Sequence, residues 1–294
     1  MVLGSSEIGF SLNQSDVFSN EIHQPLRSIF KATLDLLLPL EQSKEHLLVI
    51  NLLETIISWT QKIFGTDEFV RGREEFNEFF GKVFHDDRFF DERMHYFMHH
   101  FVFDRPLSAS QANKDLIERI VSIDSYTSLA SYPSVTRSAF LLDTPFSLFM
   151  KIISLLDAKV SPDLFAHFAR FQFVRHSLFR VLSRKKGISG ETAVVSDLLL
   201  DKKLVISCTD NGSLIGLSKK DIFQGFVFPF YKQNVITRGM ILHPSRTSSI
   251  ILKYLKDRKK SKTLDERKVL SHFSCKHLRH LRQPQTDPTK IYLL

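Results

Sequence analysis

The stretch LVISCTDNG at residues 204–212 decides the predicted fold class. Apolar side chains alternate along it at Leu204, Ile206 and Cys208, which places them on one face of a β-strand. The Asp210–Gly212 segment that follows is typical of a hairpin turn, because Asn and Gly tolerate the positive φ angles that such turns require. The stretch therefore predicts a β-region in a chain whose first half has a helical pattern.

The alternation continues toward the C-terminus. Phe226, Phe228 and Phe230 alternate along another strand, and Pro229 within it indicates a sheet edge or a bulge, because proline has no N–H to donate. Residues 235–242 form a further strand candidate. Four or five short antiparallel strands between residues 178 and 242 predict a small open barrel or curled sheet.

Before about residue 177 the apolar residues recur at helical spacing. Predicted helices begin at Pro25, Ser43, near Thr66, near Arg88 and at Ser110. Two more are predicted at 145–157 and 162–173, since Thr144-Pro145 and Ser161-Pro162 each pair an N-cap residue with proline at the first helical position. Residues 124–138, rich in Ser and Tyr, read as a loop.

These patterns predict an α+β fold with three parts. The parts are a helical domain at 1–175, a small antiparallel β-module at 176–244 and a basic helical tail at 245–294. The apolar stretch Leu47–Trp59 is too short to cross a membrane. Two cysteines and no signal-like N-terminus predict a reduced, cytoplasmic protein.

Positive charge is concentrated at the C-terminus. Residues 251–294 hold 12 of the 40 Lys and Arg residues but 4 of the 32 Asp and Glu residues, so this segment accounts for the whole net charge of +8. The candidate anion-binding residues are Lys253, Lys256, Arg258, Lys259, Lys260, Lys262, Arg267, Lys268, Arg279 and Arg282. Such a cluster indicates an anionic partner.

The sequence favours a non-catalytic binding or regulatory module whose basic region engages an acidic protein or a nucleic acid. The alternative is a nucleic-acid-binding protein that contacts the phosphate backbone. Peripheral contact with an anionic membrane is a further alternative. No G-x-S-x-G, G-x-x-x-x-G-K-[ST] or G-x-G-x-x-G motif occurs, so no catalytic residue or cofactor is predicted.

A third alternative is a metal-dependent enzyme. Asp91, His95 and His99 recur at i, i+4 and i+8, a spacing that presents them on one helical face. Packed or hydrogen-bonded histidines are the competing interpretation. A cluster of His272, Cys275, His277 and His280 contains zinc-binding residue types, but a helix would place His277 opposite Cys275. The competing interpretation of this cluster is a basic helix, and no metal ligand is predicted.

Three short segments resemble a group of uncharacterised bacterial proteins with a WFxFDRPL signature, some of which carry a zinc-binding SEC-C motif. They are Phe101–Leu107, Ser177–Val181 and Val195–Leu199, reading FVFDRPL, SLFRV and VSDLL. His100 stands where the group has Trp, and the cysteine-rich motif is missing. The resemblance implies a helical first half followed by a small β-module, and it implies no activity.

Overall fold

The structure, a computed structural model, describes residues 20–42, 49–106, 144–156, 160–187, 190–208, 214, 216–230 and 233–293. Within them the helices are α1 Asn20–Gln42, α2 Val49–Phe80, α3 Phe90–Phe103, α4 Pro145–Leu155, α5 Pro162–Ala169, α6 Ser248–Lys260, α7 Glu266–Arg282 and α8 Pro288–Leu293. The strands are β1 Arg175–Gly187, β2 Gly190–Asp197, β3 Lys202–Cys208, β4 Ile222–Phe230, β5 Gln233–Ile236 and β6 Ile241–Leu242. The predicted helix from Ser110, the predicted loop at 124–138 and the predicted turn at Asp210–Gly212 lie outside the described residues.

Local capping signals set the starts of two helices as predicted. The Thr144 hydroxyl accepts a hydrogen bond from the Ser147 N–H at 3.3 Å, and α4 begins at the next residue. The Ser161 hydroxyl accepts a hydrogen bond from the Leu164 N–H at 3.2 Å, and α5 begins at Pro162. In both cases the cap satisfies one of the free N–H groups of the first turn.

The first two helices differ in extent from the prediction. α1 begins at Asn20, before Pro25. α2 spans both helices predicted on either side of Gly65, and the break between them survives as a kink at that residue, where φ is 72°. Glycine accommodates this positive φ because it has no Cβ.

The β-region is a closed barrel rather than an open sheet. The strand order is β1-β2-β3-β5-β4-β6, and a second pairing of β1 with β4 closes the first five strands into a ring. β1 reaches both partners because it is long and its register shifts between Val181 and Ser183, where a bulge bends the strand. The predicted all-antiparallel arrangement is wrong at one place: β5 lies between β3 and β4, and it runs parallel to β3.

Strand β4 is interior to the sheet, so the edge interpretation of Pro229 is wrong. Pro229 lies beyond the last residue pair with β1, Arg175↔Val227, so β1 requires no N–H there. Phe223 and Val227 point into the barrel core. Phe226 and Phe228 point the other way and pack with the helices, which docks the barrel on the helical body.

The C-terminal helices pack into the main core and do not project from it. Ile251 and Leu255 on α6, Phe273 on α7 and Tyr292 on α8 join the same hydrophobic cluster as Trp59 on α2. The basic side chains of residues 245–294 are therefore held on a fixed surface. In the part of the chain that the structure describes, no helix is long and apolar enough to cross a membrane.

Candidate functional site

Helix α6 presents a row of lysines to solvent. Lys253, Lys256 and Lys260 are exposed and lie at i, i+3 and i+7, so they share one face opposite the buried Ile251 and Leu255. None of the three forms an ion pair with a described residue. Their charge is therefore available to a ligand.

The remaining predicted anion-binding residues divide into three groups. Carboxylates pair with Lys259 (Asp201, 2.6 Å), Lys268 (Asp265, 3.5 Å) and Arg282 (Asp87, 2.7 Å). Aromatic rings lie under Arg258 (Tyr254, 5.2 Å) and Arg267 (Phe79, 4.6 Å). The exposed Lys262 and Arg279 form no ion pair with any residue that the structure describes. The ten residues thus do not act as one uniform patch.

The barrel adds lysines that the sequence pattern did not single out. Two exposed Lys-Lys pairs lie next to α6: Lys202 and Lys203 begin strand β3, and Lys219 and Lys220 lie in the turn before β4. The Lys259 ammonium contacts the Asp201 carboxylate at 2.6 Å, and the Ser248 hydroxyl lies 3.4 Å from the Lys220 carbonyl oxygen. The sequence signal that could have identified these lysines is the occurrence of two Lys-Lys pairs at or just before the start of a strand. We call Lys202, Lys203, Lys219, Lys220, Lys253, Lys256 and Lys260 the basic surface.

Within the described residues, no helix packs extensively on the β2–β3 side of the barrel, which lies next to this surface. β2 and β3 pack principally against other strands. Ala193, Val195 and Ile206 fill the barrel core, whereas the residues between them along the strands face outward. Val205, on this outer face, is 56% exposed although it is apolar. Lys203 lies on the same outer face as Val205, so this face of β2 and β3 borders the basic surface.

A second site lies buried where α3 meets the barrel. It consists of Tyr96, His100, Asp104, His176 and Gln224. The His176 ring contacts two of them: Nε2 lies 2.6 Å from the Tyr96 hydroxyl, and Nδ1 makes a short hydrogen bond to the Asp104 carboxylate. The Gln224 amide nitrogen donates to the Tyr96 hydroxyl. His100 Nδ1 lies 3.5 Å from the Asp104 carboxylate and has no hydrogen-bond partner among the described residues.

The surroundings of this cluster perturb its acid–base properties. Burial raises the pKa of the Tyr96 phenol, although the hydrogen bond from Gln224 opposes this. Burial lowers the pKa of His100, against the effect of Asp104. Burial alone raises the pKa of Asp104, but His176 and His100 outweigh it and hold that pKa below its usual range. The surroundings thus favour a neutral Tyr96 phenol, a neutral His100 ring and a negative Asp104 carboxylate.

The structure does not bring Asp91, His95 and His99, the third alternative of the sequence analysis, together as metal ligands. His95 Nδ1 bonds to the Asp91 carbonyl of its own helix, at 2.8 Å. His99 packs between Phe226 and Phe228, and burial lowers its pKa to about 3. Within the described residues the group with metal-ligand spacing is instead His100, Asp104 and His176.

The C-terminal histidine–cysteine cluster is also dispersed in the described structure. His272 stacks on Tyr254 at a centroid distance of 4.9 Å, and His277 turns toward the buried His243. Cys275 points to the Phe79 carbonyl oxygen. Among the described residues these side chains form no three-ligand group.

Asp104 and Arg105 belong to separate networks. Asp104 is the C-cap of α3, whereas Arg105 forms ion pairs with Glu68 at 2.7 Å and Glu75 at 2.8 Å. Arg105 therefore holds α2 against the end of α3, which is a structural role.

Comparison with known proteins assigns no function. No protein-family model, no curated protein and no solved structure matches the chain. The resemblance to bacterial proteins with the WFxFDRPL signature stays a prediction. The functional argument therefore depends on the geometry of the two sites above.

Proposed function

We propose that this protein is a non-catalytic module that binds the phosphate backbone of a nucleic acid through its basic surface. One observation carries the proposal: exposed lysines of α6, free of ion pairs with described residues, adjoin exposed lysines of the barrel and a strand face on which no described helix packs extensively. We place the module in the cytoplasm, where its two cysteines stay reduced.

Backbone phosphates suit this surface for a physical reason. Each lysine that neutralises a phosphate releases condensed counterions, which favours binding at low salt. The effect needs charges that local carboxylates have not already neutralised. Lys253, Lys256 and Lys260 meet this condition, whereas Lys259 is held by Asp201.

The barrel supports the same proposal. Its ring order of β1-β2-β3-β5-β4, with parallel β3 and β5, is the connectivity of the five-stranded oligonucleotide- and oligosaccharide-binding barrel. In that class, ligands bind over the β2–β3 face. Here the helices pack against β1 and β4, and no described helix packs extensively on the β2–β3 face. Shared connectivity does not transfer a function, so it supports the proposal only together with the lysines.

Fluorescence anisotropy with a labelled single-stranded RNA and a DNA duplex tests the proposal. We expect about four phosphate contacts, for which single-strand affinity falls roughly 50-fold between about 50 and about 200 mM KCl. The triple variant Lys253→Glu, Lys256→Glu, Lys260→Glu should lose at least about tenfold in affinity at low salt.

The matched control reverses the same number of charges elsewhere. Lys31, Lys62 and Arg88 are exposed on the N-terminal helical part and its following turn. Replacing these three with Glu should leave affinity within about twofold at physiological salt, because screening acts over about 8 Å. Equal losses in the two triple variants would refute the proposal.

Other anionic partners give different outcomes. Absence of nucleic-acid affinity at low salt, together with binding to phosphatidylserine vesicles, would replace the proposal with peripheral membrane binding. Capture of an acidic protein that survives nuclease treatment, again without nucleic-acid affinity, would replace it with a protein partner.

A further inference from the structure

We propose that His100, Asp104 and His176 form a binding site for a divalent transition metal ion of the zinc type. The site is separate from the basic surface, and nothing in the proposed function requires it. Its ligands come from α3, from the C-cap of that helix and from β1. A bound ion would link the helical body to the barrel.

The spacing of the three side chains fits one ion. Their ligand atoms all lie within 4.8 Å of one another, and His100 Nδ1 is 3.5 Å from the Asp104 carboxylate. Ligand atoms about 2.0–2.2 Å from a tetrahedral zinc ion are roughly 3.3–3.5 Å apart. The ion would replace the direct hydrogen bond between His176 and Asp104, and small side-chain movements would complete the geometry.

His100 supplies an independent indication that the site can take a ligand. The residue is 4% exposed, yet its Nδ1 has no hydrogen-bond partner among the described residues. A buried polar atom without a partner is unfavourable. Coordination to a metal ion would satisfy this nitrogen, whereas the 3.5 Å separation from Asp104 is too long for a good hydrogen bond.

A second shell is already in place behind His176. When Nδ1 binds a metal ion, the ring proton is on Nε2, and the Tyr96 hydroxyl oxygen lies 2.6 Å from that nitrogen. Metal-binding histidines almost always donate their second N–H in this way. The Phe226 ring stacks on His176 at a centroid distance of 4.1 Å and fixes its plane. Both contacts orient the imidazole toward Asp104 and His100.

The ligand set also indicates the class of ion and its access. Two imidazoles and one carboxylate suit Zn²⁺ and similar first-row ions better than Mg²⁺ or Ca²⁺, which prefer oxygen ligands. The Asp104 side chain is 31% exposed and opens one side of the site to solvent. Three protein ligands leave a fourth position for water, as in zinc sites that bind a substrate.

Metal content of the full-length protein tests the proposal. Protein stripped with EDTA is loaded with ZnCl₂, dialysed and measured by mass spectrometry, and Co²⁺ loading is followed by its visible ligand-field bands. We expect about one equivalent of zinc and a tetrahedral cobalt spectrum. Zinc should also raise the melting temperature, because an ion that binds only the folded state stabilises it.

Zinc content of point variants distinguishes binding at this site from binding at other histidines or at Cys275. His176→Gln and Asp104→Asn should each lose stoichiometric zinc, and Tyr96→Phe should weaken binding about 10–100-fold through the second shell. His95→Gln and Cys275→Ser are matched controls that should keep one equivalent. Because Asp104 is partly exposed, Asp104→Asn should fold even if His176→Gln does not, which circular dichroism checks.

Two results would overturn the proposal. One is a wild-type protein that retains less than about a tenth of an equivalent after dialysis, since a site of three protein ligands should hold zinc through that step. The other is a folded Asp104→Asn variant that binds zinc as wild type does, or a Cys275→Ser variant that loses it.

Discussion

Lowering the pH should destabilise this protein through two buried histidines near its C-terminus. His243 is 1% exposed, and its Nδ1 lies 2.8 Å from the Tyr292 hydroxyl. Its other nitrogen has no hydrogen-bond partner among the described residues. His277 lies beside it, with ring centroids 5.8 Å apart, and the buried Arg93 adds a nearby positive charge. Neither ring can accept a proton without a large penalty.

Burial, with a further contribution from Arg93, lowers the pKa of His277 to about 3. Burial and the proximity of His277 lower the pKa of His243 well below its usual value. In the unfolded chain both histidines titrate near pH 6.5. Between about pH 6.5 and about pH 3 the unfolded state therefore binds more protons, and the free energy of unfolding falls as the pH falls. At about pH 5.5 His277 lowers the free energy of unfolding by about 1.4 kcal/mol relative to about pH 8, and His243 lowers it further in the same direction.

Urea unfolding at these two pH values, in EDTA, measures the effect. His277→Gln removes one titrating group, so its loss of stability between the two pH values should be about 1.4 kcal/mol smaller than that of wild type. The exposed His85→Gln is the control and should match wild type. Burial also lowers the pKa of His99 and His272, so these residues add to the pH dependence of the free energy of unfolding. Their contribution is the same in wild type and in both variants, and it cancels when the variants are compared with wild type. An unchanged pH dependence in His277→Gln would refute the reasoning.

Two further predictions concern tight packing and a buried ion pair, and chemical denaturation measures both. Gly239→Ala should cost at least about 2 kcal/mol, because a Cβ there would lie 2.6 Å from a backbone nitrogen of α3 and its φ is 86°. Gly216→Ala, also at positive φ but with open space around it, should cost clearly less, and equal costs would contradict the packing argument. Arg105→Met should cost about 3 kcal/mol, at the low end for a broken buried pair, because the buried Glu68 carboxylate loses this cation and keeps the half-exposed Arg71 at 3.2 Å. A loss below about 1 kcal/mol would show that Glu68 does not depend on Arg105.

Sequence reasoning succeeded where the signal is local. Thr144 and Ser161 set helix starts through hydrogen bonds to residues three positions away, so a short window contains the whole signal. The period-two alternation of β3 and β4 is local in the same sense. Closure of the barrel is not a local property, because it depends on β1 pairing with both β2 and β4. The bulge in β1 that allows both pairings has no recognisable pattern in the sequence.

For the two candidate sites, too, the features set by nearby residues were predictable and those set by distant contacts were not. The α6 lysines were predictable because they are close in sequence, whereas their unequal availability depends on distant carboxylates such as Asp201. The buried cluster was missed. His100 and Asp104 are one helical turn apart, but His176 reaches them only because α3 docks on the barrel at β4, the strand that pairs with β1 at His176. The sequence offered His95 and His99 only as a third alternative, and in the structure these two side chains are hydrogen-bonded and packed, as the competing interpretation had it.

The contact between α3 and the barrel determines where both proposed sites lie. Neither site needs the other in order to bind its ligand. α3 faces β4 through Tyr96 and His99, which contact Phe226, and Gly239 lets the backbone approach closely. This docking covers the β1–β4 side of the barrel, where the proposed metal ligands lie. Among the described residues no helix packs extensively on the opposite β2–β3 side, next to the basic surface. The docking of α3 therefore determines which face of the barrel is open to the nucleic acid that we propose, and the proposed ion would hold the barrel in that orientation.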